Sequence, residues 1–132
     1  MRPLGVSLVA AWYWIRGAGW AFLGLGIFVF AKLVGGLLAS MPSWLSAVWH
    51  SLGVGFAAVM ILLALLDFAV GGGLLGLKAW AANIAIGLCS LHLLLAAGSI
   101  FGHLHPLAAI GIAINAASVV YLLLPAVRTR FQ

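Results

Sequence analysis

From Leu4 to Ala31 the chain runs through about 28 residues with a single charged side chain, Arg16. Crossing the hydrocarbon core of a bilayer takes only about 20 apolar residues in a helix. Three further apolar blocks follow, over about residues 48–70, 79–101 and 106–124. With 67% hydrophobic and 5% charged residues, the chain lies far from a soluble domain, in which charged residues make up about 25%. The expected fold is all-α: an integral membrane bundle of four transmembrane helices, forming one membrane domain over residues 1–132. The excess length of the first span predicts tilting or protrusion.

The punctuation between blocks fits this layout. Pro3 suits a first helical turn, where its missing N–H costs nothing. Lys32 and Gly35–Gly36 are expected to end the first span, and residues 33–47 to form a re-entrant or interfacial connection. Met41-Pro42-Ser43 breaks a helix there, Ser43 is a candidate cap, and Trp44 and Trp49 fit an interfacial aromatic belt. Gly71-Gly72-Gly73 is expected to stop the second span. Arg2 before an apolar run resembles a signal peptide, but the run is too long and lacks a small-residue cleavage site, so a retained helix is expected. Four spans place both termini on one side. That side collects Arg2, Lys78, Arg128 and Arg130 against Lys32 on the other, and the positive-inside rule makes it cytoplasmic. The expected location is the bacterial inner membrane.

The opening Arg2-Pro-Leu-Gly-Val6, the loop Gly71-Gly-Gly-Leu-Leu-Gly-Leu-Lys-Ala-Trp80 and the ending Tyr121-Leu-Leu-Leu-Pro-Ala-Val-Arg128 resemble a broad group of small four-helix bacterial and archaeal membrane proteins, mostly without an assigned function. The resemblance implies the four-span layout and no chemistry. Arg16 stands where that group would have an apolar or small residue.

Polar residues at membrane depth are the candidate sites. An ionisable side chain there usually faces protein or water, and Asp67 is the sole acid in the chain. An Arg16–Asp67 pair is therefore expected to lock the first two helices together. The alternatives are Arg16 binding an anionic group of a partner or lipid, or the pair gating ions. Trp12 and Trp20, one turn away on either side, are candidates to hold the guanidinium by cation–π contact. Gly17, Ala21 and Gly24 form a small-residue strip for close helix approach.

His92 and Asn115 fall near mid-span on helices joined by a short loop, so an interhelical hydrogen bond between them is expected. Asn83, Ser90 and Ser118 add polarity nearby. In the functional alternative, neutral His92 is an axial ligand to a chlorophyll or haem metal. His50, His103 and His105 gather at the other end, where solvated interfacial histidines are expected rather than a metal site. Cys89 is the lone cysteine, so no intrachain disulfide can form. A serine–histidine–acid set, paired carboxylates, a phosphate-cradling loop with lysine and a metalloprotease helix are all missing from the sequence, which points away from an enzyme. A soluble basic face for nucleic acid is missing too.

Three function classes follow. The first is a non-catalytic accessory subunit of a larger membrane complex, respiratory or photosynthetic, with lipid bound to it. The second is a pigment- or haem-binding subunit using His92, and the third is a small oligomeric transporter or channel.

Overall fold

Pro3 accepts the first turn of a long helix through its carbonyl, which takes the N–H of Val6 at 3.1 Å. The computed structural model describes residues 3–37, 42–99 and 106–131. Among them the elements are α1 (Leu4–Leu37), α2 (Ser43–Leu75), α3 (Ala79–Ser99), α4 (Pro106–Leu123) and the short α5 (Pro125–Arg128), with no strand. At 1.5 Å per residue, α1 and α2 are each about 50 Å long, α3 about 32 Å and α4 about 27 Å. Three of these helices, α1, α2 and α3, are long and apolar enough to cross a membrane.

Two boundaries differ from the sequence expectation. First, α1 continues through Gly35–Gly36 to Leu37, and α2 is already helical at Ser43, so most of the expected connection 33–47 is helix. The Pro42 carbonyl takes the first N–H of α2, that of Leu45, at 2.9 Å, and Ser43 lies inside the first turn rather than capping it. Second, α2 runs straight through Gly71–Gly73 to Leu75. These glycines serve close approach: a Cβ on Gly73 would lie 2.6 Å from the Ala81 Cβ and 2.8 Å from the Trp80 ring. The stop is instead a Schellman turn. Lys78 N–H bonds the Gly73 carbonyl at 2.9 Å, Leu77 N–H bonds the Leu74 carbonyl at 3.0 Å, and Leu77 takes the left-handed conformation at φ 53.

The chain divides into two compact units. One contains Met1–Trp12 and Ala69–Gln132. Its core is built from Val6, Val9 and Ala10 of α1, Val70 and Leu74 of α2, Ala81, Ala82, Ala85 and Cys89 of α3, and Leu122 of α4. The seam between α3 and α4 is lined by small side chains on the α3 side, which lets the two helices pack closely. The Tyr121 ring occupies the space beside Gly5 that any side chain there would need.

The other unit is Tyr13–Phe68, a pair of helical segments from α1 and α2. Gly17, Gly24 and Ala31 on α1 recur every seven residues and meet Ala64, Ala57 and Gly53 on α2 in reverse order. A Cβ on Gly17 would lie 3.2 Å from the Ala64 carbonyl oxygen, and one on Gly24 would lie 3.1 Å from that of Ala57. The antiparallel backbones are thus nearly in contact. A seven-residue repeat is the spacing that keeps one seam facing its partner along a left-handed crossing. Of the small residues expected to line this strip, Gly17 and Gly24 are buried, whereas Ala21 is only half-buried.

Candidate functional site

Within the α1–α2 pair, the seam carries the only acid of the chain. Gly17 has no side chain, and a Cβ there would stand 3.2 Å from the Asp67 Cβ. Asp67 therefore fits against α1 at the level of Arg16. The structure brings these two residues together in a bidentate pair: Arg16 Nε donates to Asp67 Oδ2 at 2.7 Å and Arg16 Nη2 to Asp67 Oδ1 at 2.5 Å. The side chains are only 10% and 4% exposed. Two parallel charge-assisted bonds fix the orientation as well as the distance. The carboxylate also lies eight residues before the end of α2 because the helix continues past the glycines.

The guanidinium lies over the ring of Tyr13, a residue that the sequence did not single out. Arg16 Cζ lies 4.4 Å from the Tyr13 ring centroid. Helix geometry explains the choice. At about 100° per residue, Tyr13 lies on the Gly17 side of Arg16, between it and the seam, whereas Trp12 lies on the opposite side. Side chains lean toward the N-terminus of their helix, so Arg16 crosses Tyr13 on its way to Asp67 and leans away from Trp20. Trp12 borders a separate apolar recess of about 260 Å³ with Leu8, Val9, Ser118 and Tyr121. Trp20 is half-buried. Nothing in the sequence beyond the i−3 spacing marks Tyr13 for this role.

The second constellation lies in the other unit, and here the expected His92–Asn115 pair is not formed. Asn115 Oδ1 accepts from Cys89 Sγ at 3.3 Å, and both residues are buried. His92 Nδ1 lies 2.8 Å from the carbonyl oxygen of Leu88 in its own helix. The reason is register. Ala82 and Leu122 border one recess and Cys89 meets Asn115, so α3 and α4 run antiparallel. This alignment sets Ile112 opposite His92 and leaves Asn115 three residues away, about five-sixths of a turn along α4. Because a carbonyl only accepts, Nδ1 carries the proton, and the Nε2 of a neutral His92 keeps its lone pair. His92 is half-buried. Ser118 donates to the Ile114 carbonyl at 2.8 Å, satisfying itself within α4, and Ser90 is half-buried.

Of the remaining candidates, His50 is exposed on α2. His103 and His105 lie outside the described residues. Asn83 is exposed and borders a recess with Arg128. In the Tyr13–Phe68 unit an apolar recess of about 280 Å³ opens between Phe30, Ala31, Trp49, Gly53 and Phe56. No protein-family model matches the chain, and no match is found among curated proteins or solved structures.

Proposed function

We propose that this chain is a non-catalytic integral membrane subunit of four transmembrane helices that packs against a larger membrane assembly, respiratory or photosynthetic. The observation that carries this reading is the outer surface of α1 and α2. Both helices are about 50 Å long, against about 30 Å of hydrocarbon. Large apolar side chains nonetheless stand exposed along them, among them Trp14, Phe22, Phe30, Trp44, Leu52 and Phe56. Lipid covers the part inside the bilayer. A neighbouring protein covers the rest, and the recess at Phe30 and Trp49 receives one of its side chains. The Arg16–Asp67 pair neutralises the charge at membrane depth and joins α1 to α2, which makes it a lock rather than a conduit. Extraction of native membranes in mild detergent, reading mass and visible absorbance from one native-gel band, tests the proposal. Migration with a large complex is the expected result, and a small colourless monomer or oligomer sinks it.

A second reading has its own observation. The His92 Nδ1–H bond to the Leu88 carbonyl leaves Nε2 as an electron-pair donor, the tautomer that a metal-ligating histidine adopts. His92 would then hold the magnesium of a chlorophyll or the iron of a haem. An absorbance band in the purified protein that vanishes in His92→Ala supports this reading, and an unchanged spectrum removes it. The transporter alternative requires Asp67→Asn to abolish flux across vesicles rather than only to loosen the bundle.

A further inference from the structure

The end of α4 is shaped by Pro125. The residue before a proline is pushed out of the helical region, and Leu124 accordingly sits at φ −59, ψ 127. The break turns the chain into α5, whose Val127 is buried and anchors it. The bonds Thr129 N–H to Pro125 O at 3.1 Å and Phe131 N–H to Arg128 O at 3.2 Å keep the tail folded. Arg128 is thereby held beside the first turns of α3 instead of trailing from a loose end. Ala82, Asn83 and Ile86 of α3, Leu122 of α4, Arg128 of α5 and Phe131 border an open recess of about 170 Å³. Its lining is mixed, with Asn83 and Arg128 as the polar residues and the others apolar.

We propose that this recess binds the phosphate of an anionic phospholipid, with Arg128 and Asn83 as its headgroup ligands. The inference rests on the membrane reading above. Arginine is always charged, and its planar fork matches phosphate bidentately. The asparagine amide supplies further donors. Neither side chain has a hydrogen-bond or ion-pair partner among the described residues. No acidic side chain competes for Arg128, because the sole Asp or Glu of the chain, Asp67, is already held by Arg16. Lys78, immediately before the first residue of α3, adds positive charge at the same end of that helix. The recess lies where α3 begins and α4 ends, the level at which headgroups meet basic residues between membrane helices. The apolar lining residues Ile86, Leu122 and Phe131 suit the start of an acyl chain, which a free phosphate lacks.

The test is native mass spectrometry of the full chain in mild detergent, titrated with phosphatidylglycerol, with phosphatidylcholine of the same chains, and with inorganic phosphate. The expected result is retention of phosphatidylglycerol in preference to phosphatidylcholine. Arg128→Gln and Asn83→Leu each lower that retention, Arg128→Gln by at least about fivefold more than Arg130→Gln, the same charge change two residues away. Equal losses in Arg128→Gln and Arg130→Gln, or equal retention of the two lipids, overturn the proposal. Displacement of phosphatidylglycerol by inorganic phosphate reassigns the recess to a free anion and overturns it too. Far-UV circular dichroism verifies that the variants keep their helix content. Alkaline carbonate washing of the source membranes separates the two levels of failure. A chain that stays in the pellet without lipid preference defeats only this inference, whereas a chain released into the supernatant defeats the membrane reading as well.

Discussion

Replacing Asp67 by Asn keeps the shape of the side chain but leaves the Arg16 guanidinium buried without its counter-charge. Breaking one member of a buried pair costs about 3–5 kcal/mol. Detergent-solubilised Asp67→Asn is therefore expected to unfold at a clearly lower dodecyl sulfate fraction than the native chain, followed by far-UV circular dichroism. The double variant Arg16→Met/Asp67→Leu removes both charges together, and buried pairs replaced by apolar groups are often neutral or better. It should be more stable than Asp67→Asn. A double variant as unstable as the single one would show that the pair fixes geometry that packing alone does not supply. Cys89 offers a second residue-level prediction. Its thiol is fully buried and bonded to Asn115, so a membrane-permeable maleimide should label it slowly in the folded protein and completely after unfolding. Asn115→Ala removes the acceptor and should raise the labelling rate. The two constellations were not equally legible from sequence. One acid in the chain leaves Arg16 a single possible partner, so composition alone points to Asp67. Asn115 has several polar neighbours within a turn on α3, and only the register between α3 and α4 selects Cys89 over His92.

At the scale of the helices, stability turns on where glycine is required. A Cβ on Gly24 would lie 3.1 Å from the Ala57 carbonyl oxygen, from Ile61 Cγ1 and from Met60 Cβ at once. Overpacking of this kind costs about 1–3 kcal/mol. Gly26, two residues on, has nothing within 4 Å of the same atom, and replacing an open helical glycine by alanine gains about 0.5–1 kcal/mol. Gly24→Ala should lower, and Gly26→Ala raise, the midpoint of dodecyl sulfate unfolding. Equal shifts in the two would mean that the α1–α2 seam is not formed as described. The strip Gly17–Gly24 was visible in the sequence because small residues at helical spacing have one common use in a membrane. The helix ends were not. Gly35–Gly36 and Gly71–Gly73 read as stops because glycine costs about 1 kcal/mol in a helix interior. Packing reverses that preference at Gly73, where Trp80 and Ala81 close in. The stop that replaces it uses Leu77 in a left-handed conformation, a role that residue type gives no reason to expect.

For the whole molecule, the decisive quantity is the number of crossings. With α1, α2 and α3 alone the ends of the chain would lie on opposite sides of the membrane; adding α4 returns them to one. At 18 residues, α4 is about 27 Å long, just short of the hydrocarbon thickness of about 30 Å. It spans only if the bilayer thins slightly or flanking residues reach the interface, at a cost of a fraction of a kcal/mol per Å. Arg128 and Arg130 follow its C-terminal end and favour the cytoplasmic side. The four-span topology is therefore expected to make green fluorescent protein fused after Gln132 fluoresce and alkaline phosphatase fused there stay inactive. Reporters inserted after Pro42 should give the reverse, and those after Lys78 should match Gln132. An active phosphatase at Gln132 with an inactive one at Lys78 would leave three crossings and move α4 onto the far surface. The reversal of Arg128 and Arg130 that follows would also take the lipid recess out of the cytoplasmic leaflet, so this one set of fusions constrains both the topology and the side on which an anionic headgroup could be met.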